Sequence, residues 1–199
     1  ETIGTLSGGG ANGGNITLGD GNLTINNRAN TIYSGVISGS GSVTKIGSTT
    51  LTLEGVNTYT GITTINAGKI KVGVDSALPS TAVTLSSIGQ LTIANGFSQT
   101  IGNLTSASAN SKVNLVGSGA LTVTQTSDTT FAGYLYGDGA FTKEGSSSLT
   151  LSAAAGHKGL TQINDGTLAL ADGSIIGAVT IANTVGAKLD INGNQVVIN

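Results

Sequence analysis

The chain of 199 residues has no cysteine, methionine or tryptophan, one proline and one histidine. Without cysteine no disulfide framework can form. That suits a cytosolic protein, and equally a bacterial surface protein that must cross the periplasm unfolded. A lone histidine leaves almost nothing from which to build a zinc site of the usual ligands. Charged residues make up 9% of the chain, against roughly a quarter in ordinary soluble domains. The net charge is −2 and the eight basic residues are scattered along the sequence, so no basic stripe offers itself to nucleic acid. Aromatic residues are 4%, which predicts an aliphatic core. Methionine is missing even at position 1, as in a processed or excised piece, and no signal peptide is visible. The uncharged stretch 76–111 is broken by polar residues at every second or third position, which is not the pattern of a membrane-spanning helix.

What the chain does have is glycine, 32 residues of it, with serine, threonine and asparagine filling most polar positions. Disorder is not the expected outcome. Apolar residues are 38%, mean hydropathy is +0.22, and the β-branched residues that disordered segments lack are abundant. No window keeps apolar residues at helical spacing. Short alternating segments recur instead: Leu23-Thr-Ile25, Val43-Thr-Lys-Ile46, Leu51-Thr-Leu53, Ile62-Thr-Thr-Ile65, Ile70-Lys-Val72, Val83-Thr-Leu85, Leu91-Thr-Ile93. Glycine, asparagine or aspartate punctuates nearly every one, as between strands.

These segments repeat. Residues 35–72 return at a constant offset of 98 as residues 133–170, with 15 of 38 positions identical and no gap. The shared positions include Gly39, Gly41, Lys45, Gly47, Leu51, Leu53, Gly61 and Gly68, matched by Gly137, Gly139, Lys143, Gly145, Leu149, Leu151, Gly159 and Gly166. Tyr59 is replaced by His157. The match extends backwards to Thr2-Ile3-Gly4 against Thr100-Ile101-Gly102, and forwards with slips of one or two residues. The chain therefore reads as one continuous domain, 1–199, made of repeats 1–98 and 99–196, with 195–199 opening a third phase.

About ten short strands per repeat would fit a β-sandwich. Very short strands, small glycine or asparagine turns and stacked Val, Ile and Leu favour a β-solenoid, in which each coil buries its inward residues against its neighbours. Coils of roughly 20–30 residues predict seven or eight coils, and a rod about 35–40 Å long at the usual strand spacing. Residues 7–14, their counterpart 105–112, the proline-bearing segment 73–81 and the pair 56–60 and 154–158 read as loops off this rod.

Candidate chemistry is sparse. Gly8-Gly9-Gly10-Ala11-Asn12-Gly13 has the spacing of a dinucleotide-binding glycine fingerprint, but that motif needs a following helix, and the second repeat has lost these glycines. A Ser–His–Asp hydrolase would have to use His157 with Asp165 or Asp138; its position in a predicted exposed loop argues for a surface residue. Asp20, Asp138, Asp165 and Asp172 each precede glycine, as turn residues do, and calcium ligation is the sharper alternative. A glycan-cleaving β-helix would need clustered charge. Lys143, Glu144 and Asp138 are near one another in sequence, whereas the first repeat keeps Lys45 but has Ile46 and Ser40, and Arg28 is the lone arginine. Tyr33, Phe131, Tyr134, Tyr136, Phe97 and Phe141 are read as core, with a sugar-binding aromatic platform as the alternative. Asn15, Asn22 and Asn103 stand in Asn-x-Thr triplets. No cofactor is expected.

Gly39-Ser-Gly41-Ser-Val43-Thr-Lys45-Ile-Gly47, Leu51-Thr-Leu53, Asn57-Thr-Tyr59-Thr-Gly61-Ile-Thr63 and Gly68-Lys-Ile70 together resemble the passenger-associated transport repeat, also called the autotransporter-associated β-strand repeat. The second copy departs from the pattern at Ala155 and His157. The resemblance implies a right-handed parallel β-helix, exported by type V secretion to the bacterial cell surface, in a family where the repeat serves export and folding. Seven aromatics are too few for the girdles of an outer-membrane barrel, so no membrane insertion is expected of this segment.

The functional expectation is a structural or adhesive surface protein without enzyme activity, with a host-cell or glycan receptor. The alternatives are a polysaccharide-acting enzyme on the same fold and the scaffold of a toxin or protease passenger. A solenoid has open edges at both ends, and no polar cap is apparent. Self-association end to end, within a longer array or a filament, is expected. A monodisperse monomer by light scattering at high protein concentration would overturn that expectation.

Overall fold

The computed structural model describes residues 1–10 and 12–198; Ala11, in the first glycine-rich segment, and Asn199, the last residue of the third-phase segment, lie outside the described residues. Among the described residues there is no helix, and every paired strand runs parallel to its neighbour one coil away. Strands of two to five residues are long enough to cross one face of a narrow prism and no longer. The chain turns a corner after each, and three faces make a coil.

The first face carries ten strands: Thr2–Ile3, Leu23–Asn26, Val43–Ile46, Thr63–Ile65, Val83–Leu85 and Leu104–Thr105, then Thr129–Phe131, Leu149–Leu151, Thr167–Leu170 and Lys188–Asp190. A bridge from Ser106 to Phe131 joins the two runs. The second face carries Thr31–Tyr33, Thr50–Leu53, Lys69–Val72, Gln90–Ile93, Lys112–Leu115, Tyr134–Gly137 and Gly156–His157. It continues into Ser174–Ile176 and Val196–Ile198 through bonds such as Ile175 N–H to Ala155 O, 2.8 Å. The third face holds Ile16–Thr17 and Ile37–Ser38, then Ser98–Ile101, Ala120–Thr124, Ala140–Glu144, Thr161–Ile163 and Val179–Ile181. The solenoid architecture follows the expectation, but the coil is shorter than assumed. Paired positions lie from 18 residues apart, at Thr161 and Val179, to 25 apart, at Ser106 and Phe131, most often 20 to 22. Ten rungs on the first face make about ten coils rather than seven or eight, and a rod roughly 43 Å long at ~4.8 Å per rung.

Inward positions alternate with outward ones, so each rung stacks on the same type of residue above and below. Leu51, Ile70, Leu91, Val113 and Leu135 form one buried ladder on the second face. Leu53, Val72, Ile93 and Leu115 form the next. Leu149 and Leu151, with Leu168 and Leu170, do the same on the first face.

Between the Ile37–Ser38 and Ser98–Ile101 strands the third face has no assigned strand, and there residues 57–60 and 77–78 take its place. Thr58 N–H donates to Ile37 O at 2.9 Å, and Leu78 N–H to the buried Gln99 Oε1 at 2.9 Å. Segments 56–60, 73–81 and 154–158 are therefore not loops off the rod. Asn57, Tyr59, Ala77, Leu78, Ala155 and His157 are all buried in it. The inward positions of 56–60 and 154–158 alternate with outward ones but are filled by Asn57, Tyr59, Ala155 and His157 rather than by aliphatic strand residues, and 73–81 turns Ala77 and Leu78 inward in succession. Residues 7–14 are likewise tied down in part: Gly8 bridges to Tyr33, and Tyr33 Oη donates to Gly14 O at 2.7 Å.

Asparagine and aspartate close the corners. Where the ladder breaks, a side-chain oxygen accepts the backbone N–H of the next coil: Asn15 from Val36 at 2.9 Å, Asn30 from Thr50 at 2.8 Å, Asn103 from Thr126 at 2.8 Å, Asp75 from Ser98 at 2.7 Å, Asp128 from Ser148 at 2.7 Å. Backbone donors left unpaired inside a protein are costly, and these caps account for asparagine at the corners, all three Asn-x-Thr triplets included, since Asn22 likewise accepts from Ser42 at 3.3 Å.

The 98-residue recurrence does not return a strand to its own face. Val43 lies on the first face and Phe141 on the third; Leu51 on the second and Leu149 on the first; Thr63 on the first and Thr161 on the third. Each match is carried through four coils and two faces of a fifth.

Leu91→Ala, in the centre of a buried ladder, should lower unfolding free energy by about 2–5 kcal/mol, while Thr150→Ala on the outer surface should change it by no more than about 0.5 kcal/mol. Chemical denaturation of both variants checks this, and equal losses would refute the inward–outward assignment.

Candidate functional site

The residues that recur most faithfully turn inward. Lys45 and Lys143 are fully buried, side chain inside the coil. The Lys45 ammonium donates to the carbonyls of Ile46 (2.6 Å) and Gly47 (2.9 Å). That of Lys143 donates to Glu144 (2.8 Å), Gly145 (2.7 Å) and Asp165 (3.1 Å). Burial pushes both ammonium groups below the ordinary lysine pKa, and for Lys143 the nearby Asp165, Glu144 and Asp128 act against that shift. An ammonium has three donors and no acceptor, so it can gather several carbonyls that a corner turns away from the ladder. Gly47 and Gly145 stand at those corners with φ of +77°, and a side chain at Gly145 would have its Cβ 2.2 Å from Gln125 O. Other recurring glycines stack: an ideal Cβ at Gly61 would lie 2.4 Å from Gly41 O, and one at Gly159 2.1 Å from Gly139 O.

Tyr59 and His157 occupy equivalent positions with equivalent partners. Tyr59 Oη meets Thr63 Oγ1 at 2.6 Å, and His157 Nε2 meets Thr161 Oγ1 at 2.6 Å. Burial raises the tyrosine pKa and lowers that of the histidine to about 4. The smaller imidazole is accompanied by a larger neighbour. Phe141 replaces Val43 and packs edge-on against His157, ring centroids 6.0 Å apart. His157 is thus a core residue at 1% exposure, not the surface residue expected. Its Nδ1 has no hydrogen-bond partner, so no carboxylate orients it as a hydrolase would require.

The other charged candidates are dispersed. Glu144 accepts from Asn164 Nδ2, Asp138 lies 3.8 Å from the exposed Lys158, and Lys143 is inside. Among the described residues no three His, Asp or Glu side chains gather as a metal site would. Asp165 accepts from the Gly166 N–H and Asp172 from the Gln195 N–H, as turn and corner residues. Gly9, Gly10, Asn12, Gly13 and Gly14 line an open depression, and among the described residues no helix follows them.

What the linear sequence concealed is the outer surface of the second face. Successive coils align Thr50, Lys69, Gln90, Lys112 and Tyr134 in one outward column, and Thr52, Lys71, Thr92, Asn114 and Tyr136 in the next. The basic residues that are scattered in the chain are partly gathered here. Three of eight lie on four successive strands, and the five strands from Thr50–Leu53 to Tyr134–Gly137 contain no Asp or Glu. Among the described residues the ion pairs are Lys158–Asp138 and Lys188–Asp190; Lys69, Lys71 and Lys112 have none. A depression of about 480 Å³ lies between Lys69, Lys71, Thr92, Asn95, Phe97 and Asn114. Thr92 forms part of its wall, outward in register yet only 4% exposed, and its hydroxyl has no hydrogen-bond partner. Beyond it the Tyr134 and Tyr136 rings lie nearly parallel, 17° apart in plane with centroids at 5.5 Å. Gln90 Nε2 donates to Tyr136 Oη at 2.9 Å, and Tyr134 Oη rests where a Cβ of Gly156 would be. A second depression of about 370 Å³ opens past Tyr134, lined by Gly156, His157, Lys158, Ile175 and Ile176. Lys112 lies 43 residues after Lys69, about two coils, so only a coil period near 21 brings them into one column, and the stronger 98-residue signal masks that period.

The family described as passenger-associated-transport-repeat matches residues 43–72 and 141–170. Among characterised proteins, the chain is 36% identical over 186 residues to the Adhesin BmaC autotransporter of Brucella suis biovar 1 (strain 1330), an alignment that takes in 89% of the chain and 5% of that protein. The chain thus spans about one-twentieth of the length of this relative. No solved structure matches.

The buried histidine implies a pH effect. The unfolded chain protonates it near 6.5, whereas the folded protein resists protonation down to about 4. Its stabilising contribution is therefore complete above pH 6.5 and is lost as pH falls towards 4, by up to about 3 kcal/mol. The double substitution Phe141→Val with His157→Tyr, which copies the Val43 and Tyr59 pair, should keep stability at pH 7 within about 1 kcal/mol and remove this component. Unfolding curves for both proteins from pH 7 to 4 give the difference, and parallel pH profiles would refute it.

Proposed function

We propose that the chain, with two passenger-associated transport repeats wound into one solenoid, is a stretch of an autotransporter passenger at the cell surface and acts there as a non-catalytic adhesive segment. The similarity to an adhesin over 186 residues carries this reading. Adhesion is a property named for the relative as a whole, of which this chain covers 5%, so its assignment to this stretch is the inference. The absence of catalysis is supported by where the charges go. The faithfully repeated lysines hold carbonyls in the interior, the histidine is a core residue, and Asp75, Asp128, Asp165 and Asp172 accept backbone N–H groups at turns and corners.

The last coil supports continuation into a longer rod. Ile181 and Ile198 stack on the buried Ile163 and Ile176 yet are exposed, which is where burial by a further coil is missing. The occupant we propose is the next coil of the same passenger, since the relative extends far beyond the matched region. This is the form in which the expected end-to-end contact is retained; a second copy of the chain is the competing occupant.

The test of adhesion is display of the chain, within an autotransporter, on a non-adherent bacterium. Host-cell attachment should rise at least about tenfold over the same vehicle without the segment, the range in which a specific contact is read. Attachment no greater than that of the vehicle would sink the adhesive reading.

A further inference from the structure

We propose that the outer surface of the second face is a binding track for a linear acidic glycan, whose carboxylate or sulfate groups are held by Lys69, Lys71 and Lys112 and whose rings rest on Tyr134 and Tyr136. The proposal deepens the adhesive reading and rests on it. Several observations converge. The three ammonium groups have no carboxylate partner among the described residues, where the ion pairs are Lys158–Asp138 and Lys188–Asp190. They stand in two adjacent columns. Lys69 and Lys112 are two rungs apart, roughly 9.6 Å along the rod, and Lys69 and Lys71 are roughly 6.7 Å apart along one strand. The strands beneath contain no acidic residue to repel an anion.

The Thr92 hydroxyl is the second kind of evidence. It lies between Lys71 and Asn114 in the same outward column. It is buried and unpaired. A buried polar group without a partner is disfavoured, and here the missing partner lies on the side of the depression rather than of the core. The neighbouring groups Gln90, Asn95 and Asn114 are uncharged donors and acceptors, suited to sugar hydroxyls. The parallel tyrosine rings are held by the Gln90 bond and by the space left at Gly156. Fixed amphipathic rings offer an apolar face and a polar edge, which is what a pyranose needs.

The shape selects a polymer. The charged depression, the tyrosines and the second depression at Gly156 follow one another along the rod, and the rungs beneath them recur at ~4.8 Å. A compact ligand would use one of these places; a chain of sugars uses them in series. Duplex nucleic acid is the poorer fit, since three cations neutralise few phosphates and the amide and hydroxyl groups would be idle.

The experiment measures binding of the purified chain to heparin oligosaccharides (sulfated), hyaluronan oligosaccharides (carboxylated), dextran (neutral) and duplex DNA by calorimetry at low and physiological salt. Saturable binding to one or both acidic glycans, weakened by salt, and none to dextran is expected, and the two acidic probes separate sulfate from carboxylate recognition. The triple variant Lys69→Gln, Lys71→Gln, Lys112→Gln should lose about tenfold or more in affinity. Thr92→Val, nearly the same shape, should lose about three- to tenfold. Lys188→Gln, outside the track, should bind as the parent does. Thermal unfolding of each variant confirms that it folds. No binding to either acidic glycan, equal binding to dextran, tighter binding to DNA, or affinity unchanged in the triple variant would each overturn the track. Adhesion of displayed chain that survives the triple substitution would leave the adhesive reading standing while removing this one; loss of both readings requires that the parent chain itself not adhere.

Discussion

Everything in this molecule depends on the fact that no coil can satisfy its own backbone. A strand of two to five residues has no hairpin partner, so its N–H and C=O groups bond only to the coils above and below. The faces meet that demand with parallel ladders. The corners cannot, because there the backbone turns out of the ladder direction. The polar residues of this chain are spent on that problem. Asn and Asp oxygens accept stray N–H groups, Lys45 and Lys143 gather stray carbonyls, and glycine adopts the left-handed corner conformation. The low charge content follows from the same arrangement, since two of only eight cations serve in the interior.

The strands were legible because inward and outward residues alternate, and alternation survives in three-residue pieces such as Leu51-Thr52-Leu53. The third face between Ile37 and Gln99 was not legible. Residues 57–60 and 77–78 bond to neighbouring coils without an assigned strand, and their inward residues, Asn57, Tyr59 and Leu78, do not announce one. That is why His157 looked like a surface residue. The lysines of the repeat were visible as conserved between copies within the chain, but not as buried, because a lone cation in a strand pattern ordinarily faces water. Its partners are main-chain carbonyls, which sequence does not display.

Tyr59 with Val43, and His157 with Phe141, show how loosely the interior specifies a residue and how tightly it specifies a volume and a hydrogen bond. In both, a ring donor or acceptor reaches the threonine four residues on, and the neighbouring rung supplies the size that the ring does not. The exchange leaves the histidine with one nitrogen unpaired. The second copy therefore carries an acid-sensitive element that the first lacks.

The mismatch between the 98-residue recurrence and the coil explains why a repetitive chain can have one distinctive surface. Since 98 residues amount to four coils and two faces, a residue and its copy look out in different directions. Lys69 and Lys71 on the second face are answered by Thr167 and Ala169 on the first. Tyr134 and Tyr136 on the second face are answered by Val36 and Ser38, at the edge of the third. The three faces accept the same motif because each asks only for alternation, a glycine corner and a carbonyl trap. Interior rules thus repeat without regard to face, while outward positions are free to differ. A surface assembled from positions that the copies do not share is where selection for a partner, rather than for winding, leaves its mark, and the second face between Lys69 and Gly156 is such a surface.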